Sequence, residues 1–588
     1  MVLILSPLAN RKKNLPDMSQ HDIFRYVLLI AIGITVYFMA RAWVDDSRER
    51  NISLNEPPVP PIVSDQTFPD DKADNSDIPT ATTNDPEVTT SDVPDASLIP
   101  PPTTETGIGQ QVESQQLITV ETPVLIVSID PVGGDVVSAK LPTYPIDISV
   151  PDQPTKLLDQ KVGRVYVAQS GLIGQDGLDQ SSSRPIYRVA KTKWELQQGT
   201  LEVPLVYDRD GITVTKTYVF TADKHDVQVR YVVANETTAD LSMSFFAQLK
   251  RDSLPPEDQH TGFFRPRAYL GAAVSTNEKN YRKLKFKEIA KRPYQEIVNG
   301  GWVAILQHYF LSAWIPGDPA VTYRYFGNQD QNGHYRFGFT GPAAVITPNT
   351  EAAFSATLYM GPKRQSALNA LAPHLDLTVD YGFLWWLSIP IFKVLAWIQS
   401  IVVNWGVAII LLTILIKTVL FPLSAMSYRS MAKMRKLAPQ IKRLQERFGS
   451  DRQKMGQEMM AMYRKEKANP FSGCLPLLLQ MPVFFALYWV LIESVELRQA
   501  PFMLWIQDLG AMDPWLILPI LNGVSMFLMQ RLNPPMADPM QQKVMMFMPI
   551  MFGLICVFMP AGLVLYWFIN NLYSMAHHYY ALRKAGAT

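Results

Sequence analysis

The stretch NWGVAIILLTILIKTVLFPLS, residues 404–424, decides the fold. It is predominantly apolar, and Lys417 is its one charge. As a helix it would extend roughly 30 Å, the thickness of a bilayer core, so it reads as a membrane span. A lysine inside such a span is opposed by roughly 2.5–3.5 kcal/mol even on lenient insertion scales. Two arrangements remove that penalty. The four-carbon stem can carry the ammonium to the headgroups, about two turns away. Alternatively, the ammonium sits in a water-filled cavity open to the cytoplasm. The other spans offer no obvious Asp or Glu partner, so the counter-charge would come from outside the chain. Thr413, one turn earlier on the same face, and Gln480 and Asn571 on other spans are candidates to line such a cavity.

Around this segment the composition is membrane-like. Residues 471–491, 515–530, 544–559 and 563–580 read as further spans. The run from Val544 to Ala576 carries no charge, and its 33 residues would make one helix of about 50 Å, too long for one crossing. Met559-Pro560-Ala561-Gly562 divides it into two short helices joined by an outer turn at 560–562. Residues 376–403 hold three tryptophans, Trp385, Trp386 and Trp397, with Pro390 and Lys393, and read as an amphipathic helix at the interface. Short spans of about 16 residues would thin the bilayer locally.

Charge sets the topology. Residues 425–470 carry 12 Lys/Arg against 4 Asp/Glu, which places them in the cytoplasm. The loop 492–514 carries Glu493, Glu496, Asp508 and Asp513 against Arg498 alone, which places it outside. The loop 531–543 and the tail 581–588, with Arg583 and Lys584, then fall inside. Within 425–470, Met431, Met434, Ile441, Leu444 and Phe448 recur at helical spacing. Met455, Met459 and Met462 repeat this after Gly449-Ser450-Asp451, so a helical hairpin is expected, with Ser450 or Asp451 capping its second arm. Its apolar stripes would seal each other, or offer an adaptable Met-rich face with basic flanks.

Towards the N-terminus, residues 23–40 form one more apolar segment behind Arg11, Lys12 and Lys13. No small-residue cleavage site follows it, so an uncleaved anchor is expected, with residues 1–22 in the cytoplasm. Residues 1–17 read as an extension ahead of a sufficient start at Met18. Residues 41–116 are a Pro-, Thr- and Asp-rich tether; from Asp45 onward they hold 15 acidic and 3 basic residues, too little apolar surface to fold. From 117 to 375 the period changes to two. GITVTKTYVF (211–220) sets Ile212, Val214, Tyr218 and Phe220 on one face, and VQVRYVVAN (227–235) answers it as a hairpin would. PVGG (131–134) and GLIGQDG (171–177) supply turns. This is one large antiparallel β-sandwich outside the membrane. The expected chain is thus a polytopic α-helical membrane protein of six spans, both termini inside, carrying a large all-β domain on the outer side of the membrane.

The motifs of several enzyme classes are missing. There is no HExxH, P-loop, GxGxxG or GxSxG, and the net charge of +1 suggests no nucleic-acid partner. The two cysteines, Cys474 and Cys556, lie in apolar runs and make no disulfide framework. No nucleotide, metal or cofactor site is expected. Two rivals stay open: a secondary transporter drawing an anionic solute to Lys417, which would want inverted repeats, and an intramembrane Ser/Lys protease. For the latter Ser424 is two turns from Lys417, too far to bond, and Ser525 has no supporting motif.

NWG…LTILIK…FPLS…SYRSMAKMR (404–435), EMMAMYRKEKANPFSGCLPLLLQMPVF (458–484), ESVELRQAPFMLWIQDL (493–509), DPMQQKVMMFMPIMF (538–552) and GLVLYWFINN (562–571) together resemble the YidC/Oxa family of membrane-protein insertases, in its Gram-negative form. PVGGDVVSAKL (131–141), GGWVAILQHYF (300–310) and LYMGPK (358–363) extend the resemblance over essentially the whole chain from Met18. The resemblance implies a β-supersandwich for 117–375. It also implies a hydrophilic groove among the later spans, closed to the periplasm and open to cytoplasm and lipid, with Lys417 as its cation. Many family members carry arginine there; lysine keeps the charge without the bidentate fork. Met481 and Phe484 match the span that contacts an incoming helix, and Tyr566 and Trp567 match the opposite wall. The implied partners are nascent integral membrane proteins, Sec translocon components, membrane lipids and, through the basic hairpin and tail, the ribosome.

Overall fold

The computed structural model describes residues 116–179, 184–256, 269–448, 451–466, 475–532 and 539–585. The expected anchor 23–40, most of the tether and Cys474 lie outside the described residues.

Two-residue periodicity becomes two sheets. Among the described residues one has eleven strands, ten in its main order with Ala344–Ile346 off that path, and the other has nine, within residues 118–362. The hairpin read at 211–235 is present: Ile212–Thr221 pairs antiparallel with Asp226–Asn235, Val214 opposite Val233 and Phe220 opposite Val227. Its inward side chains, Val214, Tyr218 and Phe220, join one apolar core with Val120, Val127 and Leu172 from the other sheet. Tyr231 packs edge-on to Phe245 across the two sheets, 5.5 Å between ring centres. The turn at PVGG needs both glycines, since Gly133 and Gly134 have φ of 72° and 63°. A Cβ on Gly133 would also run into the Arg184 guanidinium at 2.3 Å. The alternation also places Lys216 on the inward face, where it is fully buried. That position is absent from the apolar pattern at 212–220.

The helical part begins with α1 (Trp385–Val402) and α2 (Trp405–Val419). It continues with α3 (Phe421–Lys436), α4 (Ala438–Phe448), α5 (Arg452–Lys465), α6 (Leu475–Glu493), α7 (Ile517–Leu532), α8 (Pro539–Cys556) and α9 (Ala561–Ala585). Among the described residues, Gly382–Val402 is long and apolar enough to cross a membrane alone. The segment read as one span at 404–424 is bent instead: α2 and α3 meet at 69°. Pro422 supplies the reason, because it has no N–H to give to the Thr418 carbonyl. The expected hairpin at 425–470 is also more divided, since α3 and α4 part at Leu437, just before Pro439. Asp451 caps α5 as expected, accepting from the Lys454 N–H at 3.0 Å. Met431, Met434 and Leu437 are buried together with Tyr428, against Met462 and Tyr463, so here the Met-rich stripes seal one another. The break after Cys556 is present, with Ala561 bonding the Ala511 carbonyl at 2.7 Å. α9, however, runs 25 residues without interruption and is not short.

The two parts are joined by polar contacts. Arg498 and Gln499, in the loop between α6 and α7, donate to the Pro145 carbonyl at 2.8 and 2.9 Å. Lys283 of the sandwich pairs with Asp380 ahead of α1. His308 approaches Glu493 at the end of α6, 3.8 Å away.

Candidate functional site

Lys417 occupies the last turn of α2. Asn404 caps the start of that helix, accepting from the Val407 N–H at 3.0 Å, while its own amide donates to the Phe502 carbonyl at 2.8 Å. The helix is therefore fixed at its N-terminal end, and Lys417 lies buried near its other end. The lysine is only 7% exposed. Its ammonium donates to Gln480 Oε1 on α6 at 2.9 Å and to Ser574 Oγ on α9 at 2.8 Å. Gln480 then donates its amide to the Tyr566 hydroxyl at 3.3 Å and to Asn570 Oδ1. Three helices thus share one polar cluster. Among the described residues no carboxylate reaches the ammonium; both of its ligands are neutral acceptors.

Of the sequence candidates, Lys417, Gln480 and Tyr566 meet here. Thr413 is buried, but its hydroxyl donates to the Ile409 carbonyl of its own helix at 2.7 Å. Asn571 belongs elsewhere: it donates to Asn522 Oδ1 at 2.9 Å and Ser525 Oγ at 3.2 Å on α7. Asn570 and Ser574 take its place beside Lys417. Their signal was in the sequence, since Tyr566, Asn570 and Ser574 stand four residues apart on one helical face.

Above the polar cluster lies an aromatic wall. Phe484 packs on Trp567 with 4.5 Å between ring centres, and Phe552 meets Trp567 edge-on at 4.0 Å. Met481, one residue after Gln480, is 39% exposed. A polar, cationic floor therefore adjoins an apolar wall built from α6, α8 and α9.

A serine does touch the lysine, which bears on the protease alternative. A Ser–Lys pair also needs preorganised donors for an oxyanion. Ser574 lies inside α9, where backbone N–H groups are engaged in the helix. Ser424 and Ser525 do not contact Lys417. Among the described residues no group of three His, Cys, Asp or Glu side chains could hold a metal ion.

Residues 117–394 match the family "YidC periplasmic domain", and residues 397–587 match the family "60Kd inner membrane protein". The chain is 46% identical over 578 residues to the membrane protein insertase YidC of Pseudomonas fluorescens (strain SBW25), covering 96% of this chain and 99% of that one. The chain belongs to the YidC family. The YidC of Pseudomonas entomophila (strain L48) is likewise 46% identical, again over 96% of this chain and 99% of its own. A solved structure described as an active YidC insertase with its first transmembrane domain resolved aligns with 80% of this chain and 93% of its own, at 18% identity and a TM-score of 0.38. The sheets at 118–362 fall within the YidC periplasmic match, and α2 to α9 within the inner-membrane match. The YidC relatives are named as insertases, and neither matching family model is described as catalytic.

Proposed function

We propose that this chain inserts integral membrane proteins into the inner membrane by offering a polar, cationic groove beside an apolar wall. The observation that carries this reading is the ammonium of Lys417, held by neutral acceptors only, within reach of the Phe484–Trp567 wall. Near-full-length identity to named insertases supports it.

No bond chemistry is involved. A client's acidic N-terminal tail exchanges its water for the groove and pairs with Lys417, displacing Gln480 or Ser574. At an effective dielectric near 20 a contact at 4 Å gains at most about 4 kcal/mol before desolvation, enough to recruit and too little to trap. The client's apolar segment then passes Met481, Phe484 and Trp567 into lipid, driven by burial of its surface. A membrane potential, negative inside, favours outward transfer of an acidic tail by about 2.3 kcal/mol per charge per 100 mV. The 16-residue α7 makes about 24 Å of helix, short enough to favour a locally thinned bilayer.

In this reading the chain crosses the membrane six times with both termini in the cytoplasm, and residues 117–375 face the periplasm. The spans are 23–40, 404–424, 471–491, 515–530, 544–559 and 563–580, with α1 lying at the outer interface. The basic helices α4 and α5 and the tail would face the ribosome and anionic lipid, and larger clients would be shared with the Sec translocon.

A photo-reactive side chain at Phe484 or Gln480 should crosslink a stalled client's apolar segment and its tail, respectively. The same probe at Trp397, an exposed residue of α1, should not. Equal crosslinking at all three positions would remove the groove. Uptake of a labelled organic anion into liposomes holding only this protein would favour the transporter alternative instead.

A further inference from the structure

The sandwich contains a buried guanidinium with two donors that reach no hydrogen-bond acceptor. Arg251 ends the strand Leu241–Arg251, opposite Tyr166 in the register. It is 1% exposed, and its guanidinium carbon lies 4.6 Å from the centre of the Tyr166 ring, which fixes the plane of the head. One donor, Nη2, reaches the Leu254 carbonyl at 3.1 Å. Nε and Nη1 are buried and make no hydrogen bond, and neither does the buried hydroxyl of Thr155. The adjacent carboxylate does not neutralise this head directly, because Asp252 accepts from the backbone N–H groups of Val165 and Leu254, both at 2.8 Å. A buried guanidinium with idle donors costs several kcal/mol unless something pairs with it.

Arg251 lines a small cleft of about 30 Å³. Lys156, Arg164 and Arg251 contribute three positive charges to its lining, against Asp159, which pairs with Lys161 at 3.4 Å. The cleft also has a defined address. Ile146 lines it, and the Ile146 carbonyl accepts from Arg498 at 3.4 Å, in the loop between α6 and α7. It therefore opens at the end of the sandwich that adjoins the helical part.

We propose that this cleft binds one phosphate-type oxyanion, with Arg251 and Thr155 as the buried donors and Lys156 at the mouth. The chemistry is shared by free phosphate and by the phosphodiester of an anionic phospholipid. A planar guanidinium fits such an oxyanion with two donors at once, and the position beside the 494–513 loop puts a headgroup within reach. The inference does not depend on the insertase reading.

The test uses the full-length protein in nanodiscs of zwitterionic lipid, titrated with inorganic phosphate and followed by calorimetry. Parallel discs contain phosphatidylglycerol. Saturable phosphate binding is expected in the zwitterionic discs, weakened about tenfold by Arg251→Gln and a few-fold by Lys156→Gln, as loss of a charge-assisted contact implies. Lys156 is exposed, so its variant remains informative where Arg251→Gln does not fold. Loss of the phosphate signal in the phosphatidylglycerol discs assigns the site to the headgroup, and its persistence there assigns it to the free ion. No saturable binding in the zwitterionic discs, or binding unchanged by both substitutions, would overturn the proposal.

Discussion

Four lysines are buried among the described residues, and the surroundings of two of them, Lys216 and Lys417, differ in kind. Lys216, in the sandwich, donates to the Gly133 and Ser170 carbonyls at 3.1 and 3.4 Å and faces the rings of Tyr218 and Tyr231 at 5.3 and 5.2 Å. Beside it Arg184 bridges Asp135 and Asp179 at 2.5 and 2.8 Å. Two cations thus stand with two carboxylates, and the group is neutral as a whole. Burial pushes the Lys216 ammonium down to about 7, with Asp135 opposing the shift. Lys417 has two neutral acceptors and, among the described residues, no carboxylate. The lesson is that burial alone does not mark a working charge. What distinguishes the two is whether the chain itself supplies the opposite charge.

That contrast can be broken by substitution. Replacing Lys417 by Leu should lower insertion of an acidic-tailed client about tenfold or more, given the few kcal/mol available to the contact. Lys417→Arg should preserve insertion, and neither change should move the thermal midpoint of the sandwich.

Acid should strike the sandwich first. Burial, then Arg364, hold the His225 imidazole down at about 4, against 6.5 when unfolded. The unfolded chain binds the extra proton between these values, so stability falls as pH drops through that window. The loss is at most about 3 kcal/mol, complete below pH 4. Denaturant titrations from pH 7 to 4 should show this slope in the native protein and a flatter one in His225→Phe. An unchanged slope would remove His225 as the cause.

Lys216→Met should cost about 1–3 kcal/mol by removing one of the two donors to the Gly133 and Ser170 carbonyls, which then keep Arg184 alone, while leaving insertion per folded molecule unchanged. A fall in insertion without a fall in stability would erase the contrast. The smallest effect is expected from Phe484→Leu. It removes a ring contact worth about 0.5–1.5 kcal/mol against Trp567 while keeping the wall apolar, so insertion should drop only a few-fold. A much larger drop would shift the emphasis from charge to wall.

The same residues show what the sequence could tell. Alternation at 212–220 disclosed the hairpin and its register, because a sheet with one buried face enforces period two. It concealed Lys216, since one inward cation scarcely disturbs the pattern. The apolar run at 404–424 disclosed the helix Trp405–Val419, yet Pro422 was read inside the same helix when it marks the turn into α3. Lys417 and Gln480 were legible as polar residues out of place. Asn570 and Ser574 were hidden behind Asn571, because neighbouring residues on a helix face different ways and only the helix partners decide between them. The joint between Arg498 and Pro145 spans 353 residues and has no local signal at all.

The most direct test pairs client charge with the lysine. Two single-span clients, identical except for an acidic or a neutralised N-terminal tail, are presented to proteoliposomes holding the native protein, Lys417→Arg or Lys417→Leu, and protease-protected insertion is measured. The account requires leucine to impair the acidic-tailed client alone, with arginine near native for both. Equal impairment of both clients, or of neither, would contradict the claim that Lys417 is kept unpaired for the client's charge.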